Sequence, residues 1–225
     1  NIPINYYHGW ADELKIWNTA LSVEHIRQMM NQEIDDLGGN VGGVVIPTKV
    51  YGSDSDIDGF EDNPLLWSNL AAYYRMNIVC GDLAPYKKGV NGRLRNITTG
   101  QEQTAPIPYT SLNNGDWNTP ATWTRPDVWD RPNSNGVDST PIDWNIVETS
   151  NNISADRDIT LLGLISKAGK LTISGSTNAN GTGTGNALWI THYLEMDGVL
   201  DLEGESQLIQ KRYTPTQFNE SILDA

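Results

Sequence analysis

Along residues 9–33 the spacing of apolar positions changes from a period of two to a helical period. Leu14 and Ile16 alternate with Glu13, Lys15 and Trp17, which predicts a half-buried strand. Beyond it Ser22 is placed to cap a helix with its hydroxyl, and Glu24 falls in the first turn. Ile26, Met29 and Met30 recur at helical spacing. His25, on the same helix, is expected to be solvated. Residues 35–43 are acidic and glycine-rich and read as a linker, with a brief apolar touch-down over residues 44–47.

The clearest pattern lies in the second half. Short β-patterned stretches occur at residues 159–165, 170–174, 187–194, 199–202 and 207–210. Two of them carry the same phrase. Residues 169–175 (Gly-Lys-Leu-Thr-Ile-Ser-Gly) and 198–204 (Gly-Val-Leu-Asp-Leu-Glu-Gly) both read G-x-L-x-[I/L]-x-G, 29 residues apart. The expectation is a pair of stacked parallel or near-parallel strands, with Leu171, Ile173, Leu200 and Leu202 in one interior and Gly at the corners. A polar Gly/Thr/Asn loop over residues 178–186 separates them. The stack is expected to end in an unpaired edge after Gln210, blunted by Lys211 and Arg212 or covered by a further coil or a partner chain. Ahead of the strands, residues 114–144 are rich in Trp and Pro. Aromatic faces can stack on sugars, but the role expected of Trp117, Trp123, Trp129 and Trp144 is to pin irregular loops against a sheet.

Composition narrows the function classes. Lys and Arg number 15 against 28 Asp and Glu, a net charge of −13. That balance repels phosphate backbones and argues against nucleic-acid binding, while it favours divalent cations. No apolar run approaches the roughly 18 residues of a membrane helix, so no membrane insertion is expected. The first 30 residues lack a basic start and an apolar core, and no signal peptide is read there. Cys80 is the single cysteine, so no internal disulfide is available. Eight Trp and nine Tyr against two Phe, among abundant Asn, Thr, Ser and Gly, is the mix of secreted β-rich proteins.

One loop has metal-binding chemistry. In residues 53–63 Asp54, Asp56 and Asp58 alternate, Gly59 permits a sharp turn, and Asp62 returns a fourth carboxylate. Calcium takes six to eight hard oxygens in a flexible loop, so the expected ligands are Asp54, Asp56, Asp58 and Asp62 with a backbone carbonyl near Phe60. Gly59 matches the sixth position of an EF-hand loop, but the twelfth is Leu65 rather than Glu. A solvated acidic turn is the alternative. The pattern D-x-D-x-D-G-x-x-D resembles a calcium repeat of the thrombospondin type-3 kind.

Further resemblances concern whole modules. Residues 9–22, Gly-Trp-Ala-Asp-Glu-Leu-Lys-Ile-Trp-Asn-Thr-Ala-Leu-Ser, resemble the final strand of laminin-G-like, concanavalin-A-like jelly rolls. The resemblance implies about a hundred or more further residues of such a sandwich ahead of Asn1. Residues 70–76, Leu-Ala-Ala-Tyr-Tyr-Arg-Met, resemble the opening strand of another such unit, and residues 91–96 its next short strand. Residues 114–123 resemble the G-x-W-x-x-x-x-T-W lead-in of surface proteins from the Bacteroidota, which precedes strands stacked as a β-solenoid.

The expected fold is therefore all-β. Residues 1–43 form the end of a laminin-G-like jelly roll with one short helix. Residues 44–65 form a linker with the calcium-type loop, 66–108 partial laminin-G-like strands, and 109–225 the Trp-rich lead-in and a β-solenoid-like segment. No nucleophile elbow, phosphate loop, zinc motif or dinucleotide fingerprint is present. His8, His25 and His192 are scattered, and nothing in the sequence joins Cys80 to any of them. The function expected is that of a non-catalytic segment of a large secreted, cell-surface adhesin-type protein. The resemblance implies export by the type IX secretion system and a role in gliding or surface attachment. It also implies other surface or secretion-machinery proteins, or surface polysaccharide, as partners. The alternative is a carbohydrate-binding accessory region of a secreted polysaccharide-degrading enzyme.

Overall fold

The computed structural model describes residues 9, 11–53, 62–76, 83–84, 86–93, 105–127, 129–210 and 216–218. The chain is mainly β. In its first part β1 (Leu14–Trp17) leads to α1 (Val23–Met29) and the hairpin β2 (Ile34–Leu37) and β3 (Asn40–Gly43). Then come β4 (Leu70–Tyr74), β5 (Leu83–Ala84) and β6 (Gly92–Arg93). β1 pairs antiparallel with β4, β2 with β3, and β5 with β6.

Residues 35–43, read above as a linker, form most of that hairpin. Gly38 and Gly39 both take positive φ, 61° and 85°, as the two-residue loop of a right-twisted hairpin requires. Strand β1 is half-buried as expected, and its buried side is the one with Glu13, Lys15 and Trp17. Leu14 and Ile16 are 47% and 48% exposed. The cause is Tyr73 on β4, which is fully buried and pairs with Lys15 across the sheet. Its hydroxyl donates to Glu13 Oε2 at 2.5 Å, and its ring lies 5.0 Å from Lys15 Nζ.

Helix α1 starts as the sequence reads. Ser22 Oγ accepts from the His25 backbone N–H at 3.2 Å, and the Ser22 N–H donates back to His25 Nδ1 at 3.1 Å. That reciprocal cap holds His25 inward, so it is buried rather than solvated. The buried face is His25, Gln28 and Met29, while Ile26 and Met30 are exposed. The apolar reading of this helix missed its polar anchors. The Gln28 side-chain amide donates to Tyr51 O and accepts from Tyr51 N–H, both at 3.0 Å. Gln32 Oε1 accepts from the N–H groups of Val45 and Ile46. Two glutamines thus supply the partners that an irregular backbone segment lacks.

The second part is a stack of parallel rows with three sides. One side joins β7 (Tyr109–Thr110), β9 (Ile146–Thr149), the second half of β11 (Ile159–Ser166), the second half of β15 (Ala187–Met196), and β18 (Thr216–Phe218). The next joins β8 (Gly115–Asp116), β10 (Ile153–Ala155), β12 (Lys170–Ile173) and β16 (Val199–Leu202). The third joins the first halves of β11 and β15 with β17 (Gln207–Gln210). β11 and β15 each serve two sides, with a shift in register at the bend after Leu161. β18 extends the first side beyond the strands expected from sequence.

Like positions stack over like positions. Ile153, Leu171 and Leu200 form one interior column, and Ile173 stacks on Leu202. Val147, Leu164 and Leu194 form another, and Ile159, Leu188 and Leu208 a third. The two G-x-L-x-[I/L]-x-G phrases are therefore in parallel register, as expected. Leu171 and Ile173 are buried, Leu200 packs partly buried against the cluster, and Leu202 is 37% exposed.

The 29-residue repeat is a shorter coil with an inserted hairpin, β13 (Ser176–Thr177) and β14 (Gly183–Thr184). The coil before it closes from Ile153 to Leu171 without an insertion. The hairpin lies flat on the next corner. A Cβ on Gly185 would sit 2.1 Å from the backbone of Glu205 and Ser206, and one on Gly175 would sit 2.0 Å from Glu203 O.

The two parts touch on the outer face of the first side. Ile46 packs with Ile146, Leu162, Ile165 and Tyr193. Gly163 leaves the notch for it, since a Cβ there would lie 2.7 Å from Ile46 Cδ1. Arg27 of α1 stacks 4.2 Å from the Trp144 ring, and Asn31 Oδ1 accepts from the Ile146 N–H at 3.3 Å.

Candidate binding surfaces

Of the expected calcium ligands, Asp54, Asp56, Asp58 and Phe60 lie outside the described residues. Asp62 is described, and it forms the neck of the loop. The Gly52 N–H donates to Asp62 O at 2.8 Å, and the Leu65 N–H to Val50 O at 2.8 Å. His25 bonds the neighbouring carbonyl, with Nε2 3.3 Å from Asn63 O. Since Nδ1 accepts from Ser22, Nε2 is the nitrogen that carries the proton. The segment bearing the four carboxylates is thus closed at its base by two backbone bonds and a buried imidazole. Among the described residues, no group of three or more His, Cys, Asp or Glu side chains is arranged to hold a metal ion. Cys80 lies outside the described residues.

The tryptophans singled out by sequence are structural. Trp117 and Trp123 are 0% and 2% exposed, meet edge to face with ring centroids 4.8 Å apart, and belong to the stack interior. Their indole N–H groups donate to Pro132 O and Trp117 O, both at 3.0 Å. Trp129 packs on Tyr109 at 4.7 Å, and Trp144 lies under Arg27.

The surface features of the stack lie elsewhere. On the second side the outward column is polar: Asp116, Ser154, Thr172 and Asp201, one per row. Beside it an open cleft of ≈ 230 Å³ is lined by Gly115, Asn152, Ile153, Ser154, Lys170 and Thr172. Lys170 Nζ is held by Asp201 Oδ2 at 2.9 Å, and that hydrogen bond raises its pKa. On the third side the outward column is Thr160, Trp189 and Ile209, and Trp189 is 45% exposed. Sequence reasoning passed over Trp189 because it sits inside a strand. Its outward direction was nonetheless readable from its place between Leu188 and Ile190.

The first part holds a half-buried charge cluster. Glu13 has φ 51°, a left-handed conformation unusual for a residue with a side chain. Its carboxylate is contacted by Lys15 Nζ at 2.7 Å and by the Tyr73 hydroxyl, and Arg75 pairs with Glu33 at 3.0 Å. Burial raises the pKa of Glu13 despite these donors, and burial also raises that of Asp12 nearby. The Tyr73 hydroxyl is pushed well above the usual tyrosine range by burial and by its bond to Glu13. Tyr193, burial-shifted and bonded to Glu195, is pushed up to about 12. These groups are held by packing and by charged or hydrogen-bonding partners.

Among the described residues no helix is long and apolar enough to cross a membrane. No family model, no curated protein and no solved structure matches this chain.

Proposed function

We propose that this chain is a non-catalytic, binding or scaffolding segment of a large exported surface protein of adhesin type. In this reading the parallel rows are a short β-solenoid, and β1 with α1 is the end of a laminin-G-like jelly roll. The observation that carries the reading is the stacking itself. Each coil buries its apolar residues against the coils before and after it, an architecture that lengthens by repetition and displays long faces. Its interior is filled by side chains such as Ile153, Leu171 and Leu188, so the faces are what it offers to other molecules. The acidic loop of residues 54–62, joined to the fold through a closed neck, is proposed to take one calcium ion that stiffens the link between the end of the jelly roll and the unit that begins with β4. Extracellular placement, type IX export and a role in attachment or gliding rest on the resemblances of residues 9–22 and 114–123. Surface proteins, secretion machinery or surface polysaccharide are the proposed partners.

The test is deletion of residues 105–210 from the parent protein in its own cells. The expected result is normal production with weakened attachment of the cells to surfaces. Unchanged attachment and motility would remove the proposal. So would turnover of glycans by the chain itself, abolished by changing a single carboxylate.

A further inference from the structure

We infer that the third side of the stack is a carbohydrate-binding face centred on Trp189, and that its ligand is a neutral polysaccharide of pyranose units. Trp189 stands on β15, which is paired on both edges, by β11 and by β17. The indole is therefore mounted on a fixed platform and not on a loop. Trp117 and Trp123 spend their indole surface and their N–H groups inside the stack, whereas Trp189 is 45% exposed. An outward Trp on a strand leaves a large flat apolar surface in water, which a stacked sugar ring relieves.

The neighbours fit the same ligand. Thr160 and Ile209 flank Trp189 in register, and Ala187 and Gln207 form the adjacent outward column. The face thus combines one aromatic plane, a methyl-bearing column and hydroxyl and amide groups suited to sugar hydroxyls. None of these five side chains is charged, on a chain whose net charge is −13. An acidic polysaccharide would be repelled by that overall charge, and a cationic one would find a single carboxylate at the edge of these columns, Asp158, whose Oδ1 already accepts from the Ala187 N–H at 2.7 Å. A neutral chain meets neither obstacle. The rows repeat at about 4.8 Å, so Thr160, Trp189 and Ile209 span roughly 10 Å, close to the length of two linked pyranose rings.

This inference rests on reading the stack as an exposed binding segment, but it is tested on the purified chain and stands apart from where the parent protein resides. The probes are cellohexaose, laminarihexaose and mannohexaose, followed by intrinsic fluorescence and titration calorimetry. At least one is expected to bind with a change in tryptophan emission. Trp189→Ala is expected to weaken that binding by roughly tenfold or more, the loss of one stacking contact. Trp189→Phe is expected to recover part of it. Both variants should melt close to the parent, because the side chain points outward. Three results overturn the inference. One is absence of binding to all three probes at millimolar concentration, and another is binding by Trp189→Ala equal to that of the parent. The third is concentration-dependent self-association in sedimentation that Trp189→Ala abolishes, which would make the face a contact between copies of this chain.

Discussion

Shortening Leu171 tests the stack where it is most tightly packed. Leu171 is 1% exposed and lies between Ile153 and Leu200 in one interior column. The rows above and below are held about 4.8 Å away by parallel pairing and cannot close over a gap. Leu171→Ala therefore loses both the transfer energy of the side chain and the contacts lining the cavity, about 3 kcal/mol. Leu200→Ala, one row on and only partly buried, is expected to cost about 2 kcal/mol, and Leu202→Ala, 37% exposed, about 1 kcal/mol. Urea unfolding followed by far-ultraviolet circular dichroism and by tryptophan fluorescence gives the three values, provided the slopes match. For a chain of this size Leu171→Ala should lower the melting temperature by roughly 6–12 °C. If Leu202→Ala costs as much as Leu171→Ala, or Leu171→Ala melts with the parent, the shared interior is wrongly assigned.

Three further outcomes follow from local contacts. Gly185→Val should displace the β13–β14 hairpin from the corner at Glu205 and Ser206, read as new protease cleavage within residues 176–186; an unchanged digest would refute that contact. Glu13 binds its proton more tightly in the folded chain than in the unfolded one, so its contribution is greatest below the ordinary glutamate range and is lost as pH rises through the raised folded value. Glu13→Gln should accordingly flatten this part of the melting temperature against pH, and a variant curve parallel to the parent's would show that Glu13 is not the group responsible. Chelation of calcium should lower the melting temperature of the chain, and calorimetry should show uptake of one ion, both effects vanishing in a variant with Asp54, Asp56 and Asp58 changed to Asn; identical melting with and without chelator would count against the site.

The stack was legible because its grammar is local. Leu171 and Ile173 alternate with outward residues, the phrase returns at Leu200 and Leu202, and parallel pairing places like over like. The rows at Ile146–Thr149 and Ile153–Ala155 were hidden, since each is short and follows a Trp-rich stretch without the repeated phrase. The interior role of Trp117 and Trp123 was half-legible: pinning was expected, but their place within the stack interior depends on pairing with strands far along the chain. The first part was harder because polar residues do its burying. His25 was expected to be solvated, and Gln28, Gln32 and Glu13 are residue types that mostly face water, yet each is turned inward by a partner on another segment. The hairpin at Gly38 and Gly39 had a readable signal in its paired glycines, masked by the acidic residues around it. As for the site, the buried tryptophans drew attention by number; the outward direction of Trp189 was readable between Leu188 and Ile190, but the row that flanks it with Thr160 and Ile209 was not.

Labelling of intact cells tests the central claim most directly. An antibody raised against residues 105–210 is applied to living cells that produce the full-length parent, with and without external protease. Binding on unbroken cells that the protease removes is the result this account predicts. Signal that appears only after the cells are broken would contradict it.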